Sequence, residues 1–372
     1  MTRSWVDIDH AAIRHNLAVI RRAVGPGPQL CAVVKADGYG HGALEVAQTA
    51  LAAGASSLAV AHAHEGAALR VGGVEAVILL LSEPVDADEV RAVVAHGLQS
   101  AVYTEAGIDA LAATGAKLDV HLKVDTGMRR VGAEASDVLV LAERIRAAQH
   151  LRLQGLWTHC AVADEPENDF TALQFARFAE VVNRLEAAGF VVPVRHVRNS
   201  AALFAHPGSH FELVRPGIAI YGVAPAPALA CRAEVADLVP VLSWYSQLSM
   251  VKRVPAGEGV SYGHHRRTER DTVVATVPVG YADGLPRSWG LNGGVVLVGG
   301  RRCPILGVVT MDQVMIDCGP DAEVLRGDQV VLIGRQGQAE ITATEVATGT
   351  DTTAYEILTR IGPRVLRRHV NR

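Results

Sequence analysis

The sequence contains few of the features that mark secreted, membrane or metal-binding proteins. Its cysteines form an odd set of 5 without a CxxC pair, so neither a disulfide framework nor a zinc site is expected. No run of about 18 apolar residues occurs, and the opening MTRSWVDIDH lacks the apolar core of a signal peptide. We therefore expect a cytoplasmic protein with reduced thiols, no metal and no membrane partner.

The sequence also lacks a large excess of either positive or negative charge. The formal net charge is −4 over 372 residues, and Lys and Arg are scattered rather than gathered into a stripe. This distribution offers no electrostatic surface for nucleic acid. The hydrophobic fraction of 49% and the charged fraction of 20% are ordinary for a globular protein. Because the chain exceeds what one hydrophobic core usually organises, we expect two domains or a barrel with an appendage.

Between about residues 30 and 222, short β-forming apolar runs alternate with Ala-rich stretches of helical period, such as 43–53, 134–148 and 168–188. Repeated βα units of this kind surround a parallel sheet. Eight candidate strands predict an α/β barrel of the TIM type, with an open doubly wound sheet as the second choice. The predicted strands are 31–34, 57–60, 76–80, 98–102, 118–124, 153–159, 194–197 and 211–215.

The pattern changes after residue 222, at the Pro/Ala-rich segment VAPAPALA. Alternating Val-rich runs separated by glycines then predict a mainly antiparallel β domain. We place the barrel at 10–230 and the β domain at 231–372, and residues 1–9 are candidates to pair with the β domain. The predicted strands of that domain are 244–254, 272–279, 294–298, 304–309, 313–317 and 329–333.

Lys35 lies in VVKADGYGHG, directly after the first predicted barrel strand. Barrel enzymes carry catalytic groups at the carboxyl ends of their strands. An amine at this position can condense with an aldehyde once its pKa falls from about 10.4 toward neutrality. From its position alone, a structural lysine is an equally good interpretation.

The segment around Lys35 resembles the lysine motif of the alanine racemases, which are fold type III enzymes with a barrel followed by a β domain. The resemblance covers essentially the whole chain and continues in order through six further segments. It implies pyridoxal 5′-phosphate (PLP) as cofactor, alanine as substrate, and D-alanine for peptidoglycan as product. The further segments are KVDTGMRRVG (123–132), GLWTHCAVAD (155–164), RNSAA (198–202), VRPGIAIYG (214–222), SYG (261–263) and MDQ (311–313).

Racemisation requires a proton to leave one face of the α-carbon and another to arrive on the opposite face, so two bases are the simplest arrangement. The resemblance assigns these roles to Lys35, which also carries PLP as a Schiff base, and to Tyr262. A phenol with a pKa of about 10 needs help to act as a base. The resemblance implies that help comes along a chain from Tyr262 through His159 to Arg215.

Arg215 also matches the family arginine that faces the pyridine nitrogen. A guanidinium stays protonated there, which keeps that nitrogen unprotonated and makes the ring a weaker electron sink. The phosphate requires hydroxyls and backbone N–H donors. Taken alone, its candidate ligands are better explained as helix caps or turn residues. They are Tyr39, Asn199, Ser200, Gly217 and Ile218.

The resemblance assigns Arg130 to the PLP phenolate oxygen and the substrate carboxylate. Lys123 matches a lysine that many members carry in N-carboxylated form, although an unmodified lysine is an equal alternative. Met311 and Asp312 match residues that meet the substrate from the β domain. Together with Tyr262 they reach the cofactor of the opposite subunit in the family, which implies a homodimer with shared active sites.

Two positions depart from the family pattern. Pro363 replaces a tyrosine that commonly contacts the phosphate, and Val308 replaces an arginine that lines the substrate access. A racemase of broader substrate range remains open, because the sequence does not reveal the size of the pocket. A fold type III decarboxylase lacks support, since no Gly-rich phosphate triplet occurs and Cys318 in DCGP does not supply its cysteine context. A non-catalytic PLP carrier would have no β domain.

Overall fold

The structure, a computed structural model, describes residues 3–206, 208 and 211–372 of the chain. The chain folds into two compact units. We call Ala12–Gly38 together with Ala43–Val239 the barrel unit. The β unit comprises the residues up to Ala11, Tyr39–Gly42 and Pro240–Arg372. The division between Val239 and Pro240 follows the Pro/Ala-rich segment at which the sequence changes pattern.

The barrel unit contains a nearly closed sheet of 8 parallel strands, as the sequence predicts. After β1 (Ser4–Asp9), its strands are β2 (Gln29–Val33), β3 (Ser57–Val60), β4 (Val77–Leu80), β5 (Gln99–Val102), β6 (Leu118–Lys123), β7 (Leu151–Trp157), β8 (Val194–His196) and β9 (Leu213–Val214). They pair in the order β8-β7-β6-β5-β4-β3-β2-β9. The amide of Arg215 donates to the carbonyl of Arg198 at 2.9 Å across the remaining gap. The TIM-type barrel prediction is therefore confirmed.

Helices lie between successive barrel strands, with one before the first of them and one after the last, and the longer helices bury one face. In α8, Phe178, Val181 and Leu185 are buried at helical spacing. Asp86 caps α5 by accepting hydrogen bonds from the amides of Asp88 and Glu89. The helices are α1 (His10–Val24), α2 (Lys35–Gly40), α3 (Ala43–Ala52), α4 (Ala63–Val71), α5 (Ala87–Ala95), α6 (Glu105–Ala112), α7 (Val138–Ala147), α8 (Phe170–Ala187), α9 (Ser200–Ala205) and α10 (Ala233–Ala236).

The β unit is mainly antiparallel. Strand β1 pairs antiparallel with β10 and parallel with β20, so the amino-terminal strand belongs to this sheet. Its further elements are β10 (Leu242–Gln247), β11 (Met250–Val254), β12 (Gly259–Val260), β13 (Arg266–Arg267), β14 (Thr272–Val277), β15 (Val295–Val298), β16 (Arg301–Pro304), β17 (Val314–Gly319), β18 (Gln329–Gln336), β19 (Ala339–Ile341), α11 (Ala343–Gly349), α12 (Ala354–Thr359) and β20 (Leu366–Val370).

Two strand predictions in the β unit need correction. The single strand predicted at 244–254 is divided into β10, which pairs with β1 and β18, and β11, which pairs with β14. The strand predicted at 304–309 is wrong, because β16 ends at Pro304 and Gly307 adopts a φ of +80° that interrupts an extended chain. Val308 and Val309 are nevertheless buried, which explains the apolar run. Among the described residues, none of the helices is long and apolar enough to span a membrane.

Candidate active site

Lys35 begins α2, a helical turn of unusual hand at the carboxyl end of β2. The φ angles from Ala36 to Gly40 all lie between +52° and +82°, so the turn is left-handed. Glycine adopts such angles freely, but each other L-residue costs about 1–2 kcal/mol. The turn therefore stores backbone strain directly after Lys35, the residue that the sequence predicts to be catalytic.

Hydrogen bonds from neighbouring elements stabilise this turn. The Glu65 carboxylate accepts from the amide of Ala36 at 2.6 Å and from the amide of Ala61 at 2.8 Å. The amide of Gly38 donates to the carbonyl of Val34 at 2.9 Å. Glu65 stands at N3 of α4, in a capping box, so one side chain caps a helix and supports the Lys35 turn. Sequence reasoning missed Glu65, although an acidic N3 residue after strand β3 was a signal for the cap.

The half-buried Lys35 amine carries a lowered pKa. Burial is the main cause, and the nearby Arg130 guanidinium lowers the pKa further, while Glu65 opposes the shift. Lys123, at the end of β6, is buried and has its pKa lowered to about 7 by burial, then by Arg130 and Arg215. These cations converge on one mouth of the barrel, and their mutual repulsion favours neutral amines.

Arg215 is a buried guanidinium directly after β9, with 3% of its surface exposed. It donates to His196 Nδ1 at 2.7 Å, to the Thr158 carbonyl at 2.9 Å and to the Val197 carbonyl at 3.2 Å. Among the described residues, the side-chain partner of its hydrogen bonds is His196 rather than His159. The His159 link to Arg215 remains a prediction, and His196 was missed.

His159 follows β7, on a loop that two hydrogen bonds of one side chain hold in place. Gln174 of α8 is fully buried and donates to the His159 carbonyl at 3.0 Å, while its amide oxygen accepts from the amide of Ala161 at 2.8 Å. Burial, then the charges of Arg215 and Arg130, hold the pKa of His159 well below 6.5. The imidazole is therefore neutral at physiological pH.

Arg130 lies on the loop after β6 and is exposed. Asp125 orders this loop by accepting from the amides of Gly127 at 2.8 Å and Arg129 at 3.1 Å. Gly132 adopts a φ of +135°, and a Cβ there would stand 2.8 Å from the amide nitrogen of Asp125. The glycine is therefore required for the return of the loop.

The segments after β8 and β9 meet at Ser200. Asn199 is the N-cap of α9 and accepts from the amide of Ala202 at 2.9 Å. The buried Ser200 hydroxyl oxygen accepts from the amides of Gly217 at 2.9 Å and Ala219 at 3.3 Å. Ile218 begins a short 3-10 turn, Ile218–Tyr221. The structure thus brings these predicted phosphate ligands of the barrel unit together, with Gly217 bonded to Ser200.

Four of the predicted site residues belong to the β unit, namely Tyr39, Tyr262, Met311 and Asp312. Tyr39 is buried there, its ring 6.2 Å from the ring of Tyr355, a neighbour that sequence reasoning missed. Burial and then Tyr355 raise the pKa of Tyr39. Pro363, which replaces the family tyrosine, is exposed. The Tyr39–Tyr355 pair places a second tyrosine beside a predicted phosphate ligand.

Tyr262, Met311 and Asp312 line one cavity of about 1,010 Å³ in the β unit. Tyr262 is 75% exposed on a short 3-10 turn, and Met311 is 54% exposed. Arg364 bonds to Asp312 at 2.8 Å and to Asp283 at 3.2 Å, which fixes the Asp312 carboxylate. Val308, buried at 2%, lines the same cavity.

The chemistry of the barrel mouth suits an anionic ligand. Cations dominate it, and the buried indole N–H of Trp157 lacks a hydrogen-bond partner among the described residues. The Trp157 ring centroid lies 4.4 Å from Lys123 Nζ. In the part of the chain that is described, no group of three or more His, Cys, Asp or Glu could hold a metal. The cations and the indole N–H are therefore groups that can hold an anion.

Comparisons with known proteins agree on one family over the whole chain. The profile of the alanine racemase N-terminal domain matches residues 8–225, and the profile of the alanine racemase C-terminal domain matches residues 241–369. The chain is 45% identical to an alanine racemase of Symbiobacterium thermophilum, over 99% of this chain and 97% of that protein. It is 43% identical to one from Beutenbergia cavernae, over 98% of this chain and 97% of that protein.

Solved structures give the same result. A crystal structure of alanine racemase from D-cycloserine-producing Streptomyces lavendulae superposes with a TM-score of 0.94 at 38% identity, covering 100% of this chain and 98% of that one. The alanine racemase of Bacillus anthracis with bound L-Ala-P gives a TM-score of 0.92 at 37% identity, covering 100% of this chain and 96% of that one. The similarity therefore extends to both units.

Proposed function

The chain belongs to the alanine racemase family, and on this premise we propose that Lys35 and Tyr262 are the two bases with which it interconverts L-alanine and D-alanine. The observation that carries the proposal is the position of Lys35 at the barrel mouth, on a left-handed turn, with a pKa that burial and Arg130 lower. A lowered pKa gives the amine a larger neutral fraction, which both covalent attachment and proton abstraction require.

We infer that PLP is the cofactor, since the cations and the unpaired donor at the mouth fit its phosphate and phenolate. When bound, it supplies an aldehyde and a conjugated ring that acidify the α-hydrogen of an amino acid. Lys35 would bond to the aldehyde, and Arg215 would face the ring nitrogen as a permanent cation. The residues that would hold the phosphate are Tyr39, Asn199, Ser200, Gly217 and Ile218.

Two bases on opposite faces account for racemisation. Lys35 Nζ takes the α-proton from one face, and the Tyr262 hydroxyl gives a proton to the other; the reverse reaction exchanges these roles. After each turnover one base carries an additional proton and the other has lost one. Proton exchange must therefore restore the starting protonation states of Lys35 and Tyr262 before the next turnover in the same direction. Neutral His159, beside the cations of the mouth, is the proposed partner that lowers the cost of a Tyr262 phenolate.

Arg130 is the proposed ligand of the substrate carboxylate. It is exposed, and it is close enough to Lys35 for its charge to lower the pKa of that amine. Lys123 is the proposed N-carboxylated residue. A neutral amine can add to carbon dioxide, and the resulting carbamate would replace a cation by an anion next to Arg130. That exchange would relieve the repulsion that lowers the pKa of both lysines.

We further propose a homodimer in which Tyr262, Met311 and Asp312 of each chain complete the site of the other. The support is the 75% exposure of Tyr262 and the 54% exposure of Met311, since large side chains left open to solvent together mark interaction surfaces. Met311 and Asp312 would then narrow the access to the substrate, which favours a small amino acid such as alanine.

The proposal is tested on the purified protein with PLP. We expect a visible absorption band from the lysine-bound cofactor that borohydride removes, and D-alanine formation from L-alanine. Lys35→Ala should lose both the band and the activity, whereas Tyr262→Phe should keep the band and lose most of the activity. A band that persists in Lys35→Ala would refute the assignment. Parallel assays with L-serine and L-lysine rank alanine against a broader substrate range.

A further inference from the structure

A chain of side-chain hydrogen bonds runs through the barrel interior from Arg215 to the opposite end of the strands. Arg215 Nη1 lies 2.7 Å from His196 Nδ1, and His196 Nε2 lies 2.8 Å from His121 Nδ1. His121 Nε2 lies 2.9 Å from Gln99 Oε1, and Gln99 Nε2 lies 3.1 Å from Asp119 Oδ2. We call these five residues the interior relay.

The two ends of the relay fix the direction of every bond in it. A guanidinium only donates, so His196 Nδ1 must accept and its proton must reside on Nε2. His121 Nδ1 then accepts, and His121 Nε2–H donates to Gln99. At the other end an ionised carboxylate only accepts, so Gln99 must present its amide N–H to Asp119 and its oxygen to His121. Both ends require the same pair of tautomers, and all donors point from the cation to the anion.

The packing is built around this arrangement. His196 is fully buried, His121 is 3% exposed, and barrel interiors are normally filled by branched apolar residues. A Cβ at Gly155 of β7 would collide with Nδ1 of the His121 ring, so only glycine leaves room for that ring. Trp157 stacks on His196 with ring centroids 5.5 Å apart and planes 9° from parallel.

The relay links the buried positive charge of Arg215 to a carboxylate. The described hydrogen-bond acceptors of the Arg215 guanidinium are a histidine and two carbonyls, so a buried cation has no carboxylate in direct contact. Burying such a charge without a counter-charge is expensive. Asp119 is the anion at the far end of the relay. Burial lowers the pKa of His121 to about 4, and the Asp119 carboxylate only partly opposes that shift. Exposed Arg152 donates to both oxygens of that carboxylate at 2.7 Å, so the relay and Arg152 share the charge of Asp119.

We propose that Asp119 and Gln99 are positioning residues that hold Arg215, through His121 and His196, in the orientation its catalytic role requires. The relay acts by fixing neutral imidazoles in the tautomers in which His196 Nδ1 accepts from the guanidinium. This inference rests on the proposed function only in the assumption that Arg215 faces the cofactor ring; the tautomers follow from the hydrogen bonds alone.

The tautomers are measured by nitrogen NMR of histidine-labelled full-length protein, with and without PLP. We expect His196 and His121 to carry Nε2 protons that resonate at low field and exchange slowly. Gln99→Met removes the link without changing charge, and Asp119→Asn removes the charge while keeping the shape. Both variants should shift and broaden the Nε2–H signals of His121 and His196. An Nδ1–H tautomer at either histidine would overturn the proposal.

Asp109→Asn is the matched control, because Asp109 forms a similar two-pronged pair with Arg144 at 2.6 Å outside the relay. It should leave the histidine signals and the kinetics unchanged. Gln99→Met and Asp119→Asn should lower kcat by about 10-fold with little change in KM, the scale expected for a partner one step removed from a reacting group.

Altered histidine signals with unchanged kcat would place the relay outside the reaction and refute the positioning role. Equal losses in the Asp109→Asn control would refute it as well. These outcomes are separate from the test of Lys35, because the histidine signals are read in the protein without PLP and do not depend on a covalent bond to the cofactor.

Discussion

Lys123 illustrates how an ordinary side chain acquires unusual chemistry from its position. Its side chain is 4% exposed at the end of β6, its ammonium lies over the Trp157 ring, and Arg130 and Arg215 act on it as cations. Desolvation and like charge both penalise the protonated form, so the pKa falls to about 7. Lys123 is thus largely neutral above that pH and largely charged below it.

This pKa predicts a pH-dependent carbamate. In labelled bicarbonate, carbon-13 NMR should detect a carbamate carbon at about pH 8, where the amine is neutral, and much less of it at about pH 6. The N–C bond forms as the amine releases its proton to solvent. The signal should be missing in Lys123→Met and retained in Lys252→Met, which removes an amine of the β unit. A signal that is equal at both pH values would contradict the prediction.

At the scale of single elements, the left-handed turn α2 holds three residues other than glycine at positive φ. Gly38 and Gly40 accept positive φ without cost, whereas Ala36, Asp37 and Tyr39 do not. The turn is retained because Glu65 and the carbonyl of Val34 accept its amides. We infer that the strain directs Lys35 into the mouth, since a right-handed start would alter the direction in which the chain leaves β2.

Gly40→Ala tests how closely this turn is packed. Gly40 has a φ of +82°, and an added Cβ would stand 2.5 Å from the carbonyl oxygen of Leu358 in α12. The control is Gly189→Ala, with a φ of +78° and nothing within 4 Å of the added Cβ. In Gly189→Ala the free energy of unfolding should fall by about 1–2 kcal/mol, which is the cost of the backbone conformation alone.

Gly40→Ala should lower the thermal midpoint of the protein without PLP clearly more than Gly189→Ala does. The difference between the two variants measures the collision with α12, since the backbone cost is common to both. Equal midpoints would mean that α12 yields to the new methyl group, and that the turn is held by its hydrogen bonds alone.

At the scale of the whole molecule, the proposed sharing of sites makes a quantitative prediction. As homodimers, the Lys35→Ala chain should be inactive and the Tyr262→Phe chain should keep only a small residual activity. Their mixed dimer would contain one intact site and one doubly defective site, so it should have about half of the wild-type activity. Random exchange at equal amounts makes about half of the dimers mixed, and the mixture should therefore recover about a quarter.

The control for this mixture pairs the Lys35→Ala chain with a chain that carries both substitutions, and it should stay inactive. Subunit exchange is verified independently, by mass spectrometry of dimers that contain one tagged chain. An inactive mixture in which exchange is complete would place Lys35 and Tyr262 of each working site in the same subunit, contrary to the proposal.

Local periodicity explains which parts of the fold the sequence could predict. All eight barrel strands were found, because buried parallel strands are short apolar runs between amphipathic helices. The strand predicted at 244–254 failed because its two halves pair with different partners, β18 and β14, far away in sequence. The strand at 304–309 failed because burial, rather than strand pairing, accounts for its apolar residues.

The sequence by itself determined the barrel and the β unit after it, since both follow from local patterns of residues, and its motifs predicted the candidate bases through their resemblance to the family. Only the tertiary structure decided the hand of α2, the Glu65 support and the interior relay. His121 and His196 are separated by 75 positions, and whether they meet depends on neighbouring strands, on Gly155 and on the acceptor needs of groups at both barrel ends. Such long-range packing has no local signature, so it becomes visible only when the chain is folded.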